Sequence, residues 1–270
     1  MSPTKLFFLF TLLLSTGSFL NCARAPYTGR LQFIVVDDNT MNKLGADAYQ
    51  EILGKEKISK DPELIDVVNR VARRLAKVAD RPDYKWEFKV IDDPKTVNAF
   101  CLPGGKVAVY RGILPVAQNE AGLAVVLGHE IAHATARHGA ERMSHQLGAN
   151  LALEAASLGL ANNKNHDMIM AGLGAGTSVG VLLPYSRTQE SEADRIGLMY
   201  MAKAGYDPRE ATRFWDRMNK MAGGNRPPEF LSTHPAPEKR SSELGKEVEE
   251  VMKYYLASPR YGLGEKLPVK

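Results

Sequence analysis

His129 and His133 stand four residues apart, with Glu130 directly after the first of them, in the stretch His129-Glu130-Ile131-Ala132-His133. On a helix the two imidazoles lie one turn apart on the same face, so both can reach a single tetrahedral Zn²⁺. Glu130 then stands beside them over the open coordination position. The spacing supplies two metal ligands and a base, a combination suited to hydrolysis by metal-activated water. The bare pattern arises by chance in about one chain in a hundred of this size, and its setting makes it more specific. Residues 121–136 are otherwise apolar nearly all round, which marks a helix buried in the middle of the molecule. Each polar side chain there needs a partner, because an unpaired buried polar group costs about 1–3 kcal/mol. One metal ion per chain answers all three demands.

A catalytic zinc needs a third protein ligand. The extended pattern with Gly at 136 and His at 139 is excluded, since the chain has Ala136 and Gly139. His138 falls five residues after His133, off the ligand face, and reads as a surface histidine or one behind the ligands. Downstream, Glu190-Ser191-Glu192-Ala193-Asp194 lies in a helical stretch. Glu190 and Asp194, four apart, share a face while Glu192 points away, so Glu190 is the preferred ligand and Glu192 the alternative. Asp194, one turn along, can orient a ligating imidazole by accepting its other N–H. Taken in isolation the segment also reads as an exposed acidic helix paired with Arg187 and Arg195.

The elements that must position these groups run from strands to helices. Leu31–Val36 is a short apolar, β-branched run that reads as a strand. Leu64, Val68, Val71, Leu75 and Val78 recur at helical spacing behind an Asp61-Pro62 start signal. Trp86, Phe88 and Val90 alternate with charged residues, the period of a half-buried strand. Segments 96–102 and 106–114 flank Pro103-Gly104-Gly105 and predict a hairpin. Asn119 caps the His129 helix, and further helices are expected at 148–160, 169–183, 188–204, 208–221 and 238–256. The fold class is therefore α+β, mostly helical with a small N-terminal sheet. The apolar run 168–183 holds 16 residues with glycines at 172, 174, 176 and 180. It reads as a buried or substrate-facing helix rather than a membrane span, which needs about 20 residues.

Residues 1–21 carry one charge, Lys5, then the apolar run Leu6–Leu14 and a small, polar stretch: the layout of an export signal. Cys22 follows directly, as in a lipid-acceptor cysteine, although Leu20-Asn21 depart from the usual residues there. Cleavage after Ala25 is the competing reading. The expected organisation is a signal at 1–21 and a single domain over 22–270. With 35 basic and 31 acidic residues interleaved along the chain, nothing favours nucleic acid, and two cysteines cannot build a disulfide scaffold.

The chain resembles the gluzincin metallopeptidases related to the CAAX prenyl endopeptidase, among them exported bacterial lipoproteins and the mitochondrial overlapping-activity protease. The shared stretches are Thr28-Gly29-Arg30, Asn98-Ala99-Phe100 with Pro103-Gly104-Gly105, Gly128–His133, Tyr185-Ser186-Arg187, Glu190–Asp194, Gly205–Pro208 and His234-Pro235. The resemblance implies a zincin-like domain, a third-ligand motif on Glu190 and Asp194, and an endopeptidase acting on proteins. It is greatest to the periplasmic lipoprotein members, which implies a lipid anchor at Cys22. His234 is similar to a loop histidine that approaches the metal in relatives, where it would steady the tetrahedral intermediate or cap the zinc reversibly. Asn98, Ala99 and Phe100 precede the hairpin and would hold an extended peptide by strand addition; a turn with Phe100 buried is the competing reading. Expected substrates are unfolded or misassembled proteins. The functional alternative is an envelope chaperone with a structural zinc; an aminopeptidase lacks any recognisable site for a free amino terminus.

Overall fold

The computed structural model describes residues 23–161, 163, 165, 167–169, 186–223, 228–235 and 240–268. The expected signal at 1–21, Cys22, Tyr185 and most of the apolar run 168–183 lie outside the described residues. Among those described, no helix is long and apolar enough to cross a membrane.

The largely apolar segment around His129, Glu130 and His133 forms helix α4 (Glu120–Thr135), and every one of its residues is buried. The Asn119 side chain starts it by accepting from the Gly122 N–H at 2.8 Å. Helix α2 (Pro62–Val78) packs against it with the stripe Leu64, Val67, Val68, Val71, Ala72 and Leu75, and Asp61 caps its start. A three-stranded sheet of β3 (Glu87–Ile91), β4 (Ala99–Leu102) and β5 (Lys106–Tyr110) has β5 in the centre. β4 and β5 form the expected antiparallel hairpin, whereas β3 runs parallel to β5. The turn needs glycine at Gly104 and Gly105, whose φ values are +81° and +79°, and a Cβ on Gly105 would strike the Trp86 ring.

Helix α1 (Asp38–Lys55) has no counterpart in the sequence reading. It buries only Met41, Gly45 and Tyr49 of its 18 residues, too narrow a stripe for a periodicity signal. It docks by fit: the Tyr49 hydroxyl donates to the Val107 carbonyl at 2.7 Å, and Gly45 lies flat against the Pro103 backbone. The expected strand at 31–36 shortens to β2 (Leu31–Gln32), paired with β1 (Ala23–Arg24). Among the described residues no further strand pairs with it, and the Val35 N–H goes instead to the Ser144 hydroxyl.

After the short α3 (Leu114–Ala117) and α4, the chain turns through Arg137 at φ +58° into α5 (His138–Leu160), so the helix expected at 148–160 is the outer half of a longer one. Helices α6 (Arg187–Lys203), α7 (Glu210–Ala222), α8 (Glu229–Thr233) and α9 (Arg240–Ala257) follow among the described residues. One contiguous apolar core joins α2, the sheet, α4, α6, α7 and α9, with α4 at its centre. The α+β, mostly helical class holds.

Candidate metal centre

α4 and α6 cross closely enough that glycine faces glycine. A Cβ on Gly197 would lie 3.0 Å from Gly128 C and His129 N, and one on Gly128 would lie 3.1 Å from the Gly197 carbonyl. This contact brings Glu190, two turns before Gly197, onto the histidine face of α4. Ser186 and Gln189 form the capping box that starts α6 one turn ahead of Glu190. His234, at the C-terminal end of α8, enters from the other side with its ring stacked on Phe230.

Four donor atoms converge. His129 Nε2 lies 3.1 Å from His133 Nε2 and 3.2 Å from His234 Nδ1. Glu190 Oε1 is 3.2 Å from His133 Nε2 and 3.1 Å from His234 Nδ1, and Glu190 Oε2 is 3.4 Å from His129 Nε2. A tetrahedral zinc with arms of about 2.0–2.1 Å separates its ligand atoms by about 3.3 Å, so these residues fit the ion. The donor chemistry agrees: Glu190 Oε2 and Glu130 Oε1 are buried without a well-formed hydrogen bond, although the Arg240 guanidinium stands 3.2 Å from the former. His129, Glu130, His133, Glu190 and His234 are each at most 3% exposed as residues. Such a buried His-His-Glu-His cluster in a mostly helical chain is consistent with a zincin fold.

The electrostatics also call for a cation. Burial alone would lower the pKa of His129, but the Glu190 charge and the bond to Asp194 carry it up to about 9. Burial works against the Glu190 carboxylate too, yet His129 and the hydrogen bonds of the surrounding imidazoles hold it well below the usual carboxylate range. His133 is pushed well below the ordinary imidazole value by burial. A bound divalent ion takes the place of the proton that the carboxylate otherwise keeps on this cluster. Glu130 sits with its Oε1 3.5 Å from His234 Nε2. Burial raises its pKa, the direction that suits a group required first to accept a proton and then to return it.

Behind the ligands, Asp194 Oδ1 accepts from His129 Nδ1 at 2.9 Å, as its place one turn after Glu190 predicts. Arg240 grips Asp194 with two bonds of 2.6 Å, reaches to 3.2 Å from Glu190 Oε2, and lies 3.4 Å over the Trp215 ring. His138 is fully buried, 2.8 Å from His133 through their Nδ1 atoms and 3.0 Å from Glu192 Oε2 through Nε2, so it stands behind the ligands and not on the surface. Glu192 lies outside the cluster of donor atoms. It accepts from His138, Arg30 and the Thr28 hydroxyl, which hold its pKa down at about 2 against the cost of burial. Arg195 pairs with Glu250 at the surface.

Asn98, Ala99 and Phe100 lie at and in β4, an edge strand of the sheet that packs on α4. Ala99 is buried, while Phe100 is half-buried against Tyr49 and Tyr110. Part of the edge is taken, because the Val97 carbonyl accepts from the Phe230 N–H of α8 at 3.1 Å. Sequence reasoning missed Arg240 and the role of Arg30. Arg30 stood in the shared Thr28-Gly29-Arg30 stretch with no task attached, and Arg240, six residues after His234, gave no local signal.

Residues 60–248 match the model of peptidase family M48. The mitochondrial metalloendopeptidase OMA1 of Schizosaccharomyces pombe is 39% identical over 232 residues, covering 84% of this chain and 66% of the relative. The putative beta-barrel assembly-enhancing protease of Vibrio cholerae is 36% identical over 204 residues, 73% of this chain and 42% of the relative. The beta-barrel assembly-enhancing protease of Escherichia coli K12 is 32% identical over 207 residues, 74% and 42% respectively. The chain thus spans between 42% and 66% of the length of these relatives.

Proposed function

The chain belongs to peptidase family M48 and carries the intact cluster of a metalloendopeptidase; on that premise we propose that it cleaves misfolded or misassembled proteins in a bacterial cell envelope. The observation that carries the reading is Glu130 beside His129, His133 and Glu190 in one buried site. Those three ligands hold the metal, and zinc is typical of the family. Bound there, zinc would supply a water of lowered pKa and a Lewis acid for the scissile carbonyl.

Glu130 takes the water proton and later delivers it to the leaving amine, its burial keeping the carboxyl basic enough to do both. Asp194, held by Arg240, keeps His129 turned to the metal. The edge of β4 beyond the Val97 contact receives the substrate as an added strand, which selects extended over folded chains. His234 would close the site at rest: its Nδ1 lies within 3.2 Å of His129 and Glu190, where it could serve as a further, reversible ligand that gives way to a peptide. The envelope location rests on the export-like layout of residues 1–21, with Cys22 as the lipid acceptor. It is in keeping with the beta-barrel assembly-enhancing relatives of two bacteria, while the mitochondrial relative covers more of this chain.

Casein cleavage by the zinc-loaded wild type and by Glu130→Gln tests the hydrolytic reading. The variant is expected to keep one zinc per chain and to lose about 10²–10⁴-fold in rate. Equal cleavage by the two proteins overturns it.

A further inference from the structure

A histidine that ligates a metal through one nitrogen needs the other N–H taken by a fixed acceptor, or its ring turns and its tautomer is not set. For His129 that acceptor is Asp194. For His133 the neighbour described at its outer nitrogen is a third imidazole, that of His138. We propose that His138 is the positioning residue of His133, and that Glu192 and Arg30 anchor it, so that the N-terminal hairpin of β1 and β2 becomes part of the metal-holding apparatus.

The direction of the hydrogen bonds follows from the far end of the chain of contacts. His138 Nε2 lies 3.0 Å from Glu192 Oε2, a carboxylate that can only accept, so Nε2 carries the hydrogen. In a neutral ring Nδ1 of His138 is then an acceptor. It lies 2.8 Å from His133 Nδ1, which must therefore donate, and this leaves the His133 Nε2 lone pair aimed at the other three donor atoms. The reverse arrangement would put the His133 hydrogen on Nε2, where the metal belongs.

Glu192 is itself fixed. Arg30 donates to its Oε2 at 2.8 Å through Nε, and the Thr28 hydroxyl donates to Oε1. The same guanidinium reaches across to Glu141 in the first turn of α5, with contacts of 2.7 and 2.8 Å. Glu141 also accepts from Gln189 at 2.8 Å. Both buried carboxylates thus share one arginine, and that arginine comes from the chain segment just before β2. Residues 28–30, which supply no ligand, hold the outer end of a path that runs Arg30, Glu192, His138, His133.

This inference rests on the reading of His129, His133 and Glu190 as ligands, and the experiment separates the two. Zinc affinity of the full chain is measured by competition with a chromophoric chelator for wild type, His138→Phe, His138→Asn and His133→Ala. His138→Phe keeps a ring and removes the acceptor, and is expected to weaken zinc binding about 10- to 100-fold. His138→Asn restores an acceptor at the same place and is expected to recover most of the loss, which a role in packing alone would not produce. Should the Phe variant not fold, His138→Leu takes its place. If the apolar variants bind zinc as wild type does while His133→Ala does not, the positioning role falls and the ligand reading stands. If His138→Asn binds as poorly as the apolar variants, the positioning role also falls. If His133→Ala itself retains full affinity, both readings fall.

Discussion

The close crossing of α4 and α6 makes Gly197→Ala a sharp perturbation. The added methyl would sit 3.0 Å from the carbonyl carbon of Gly128 and from the amide nitrogen of His129, and 3.2 Å from the Gly128 carbonyl oxygen. All three are backbone atoms of a buried helix, so no side chain can swing aside. Reaching ordinary contact distance requires the helices to part by about 0.4 Å. Two terms compete. Alanine gains about 1 kcal/mol over glycine inside a helix, while overpacking a tight core costs about 1–3 kcal/mol. The clash is expected to win, with a net loss of about 1 kcal/mol. Glu190 rides on the same helix two turns earlier, and its oxygens are 3.2–3.4 Å from the α4 histidines. Metal–ligand distances tolerate only about 0.2 Å, so zinc affinity should fall together with stability. Urea unfolding and chelator competition on the zinc-loaded chain read both quantities. Gly245→Ala is the control: it lies inside α9 with nothing within 4 Å of the new Cβ, and the helix gain should show there uncancelled. If Gly197→Ala gains as much stability as Gly245→Ala and binds zinc as tightly as wild type, the glycine contact does not set the site.

Two further outcomes follow. Arg240→Met leaves Asp194 buried beside His129 without its counter-charge, and should lower unfolding free energy by about 3 kcal/mol or more at neutral pH; urea denaturation indistinguishable from wild type would discard the account of this arginine. On the proposed capping role, His234→Ala removes a group that blocks the site, so cleavage of a short unstructured peptide should speed up several-fold while zinc is held less tightly. An unchanged rate would show that His234 neither caps nor assists.

The parts of this protein legible in its sequence are those whose physics is local. His129, Glu130 and His133 declare themselves because four residues make one helical turn, and Glu190 with Asp194 for the same reason. The starts of α2, α4 and the β4–β5 turn are written in Asp61-Pro62, Asn119 and Pro103-Gly104-Gly105, residues that satisfy or free the backbone beside them. Helix α1 was silent because its docking needs only three buried residues, one of them a glycine. The parallel partner of β3 was silent because β5 comes fifteen residues after β3 ends and no turn links them. Arg240, Arg30 and the true place of His138 belong to the fold alone. Each is an ordinary side chain until helices far apart in sequence close around it, and then burial makes an unpaired charge or ring nitrogen too costly to leave. Sequence spacing could nominate the ligands; only the packing of α4 against α6 and α8, two facing glycines included, could set their nitrogens and oxygens the width of one metal ion apart.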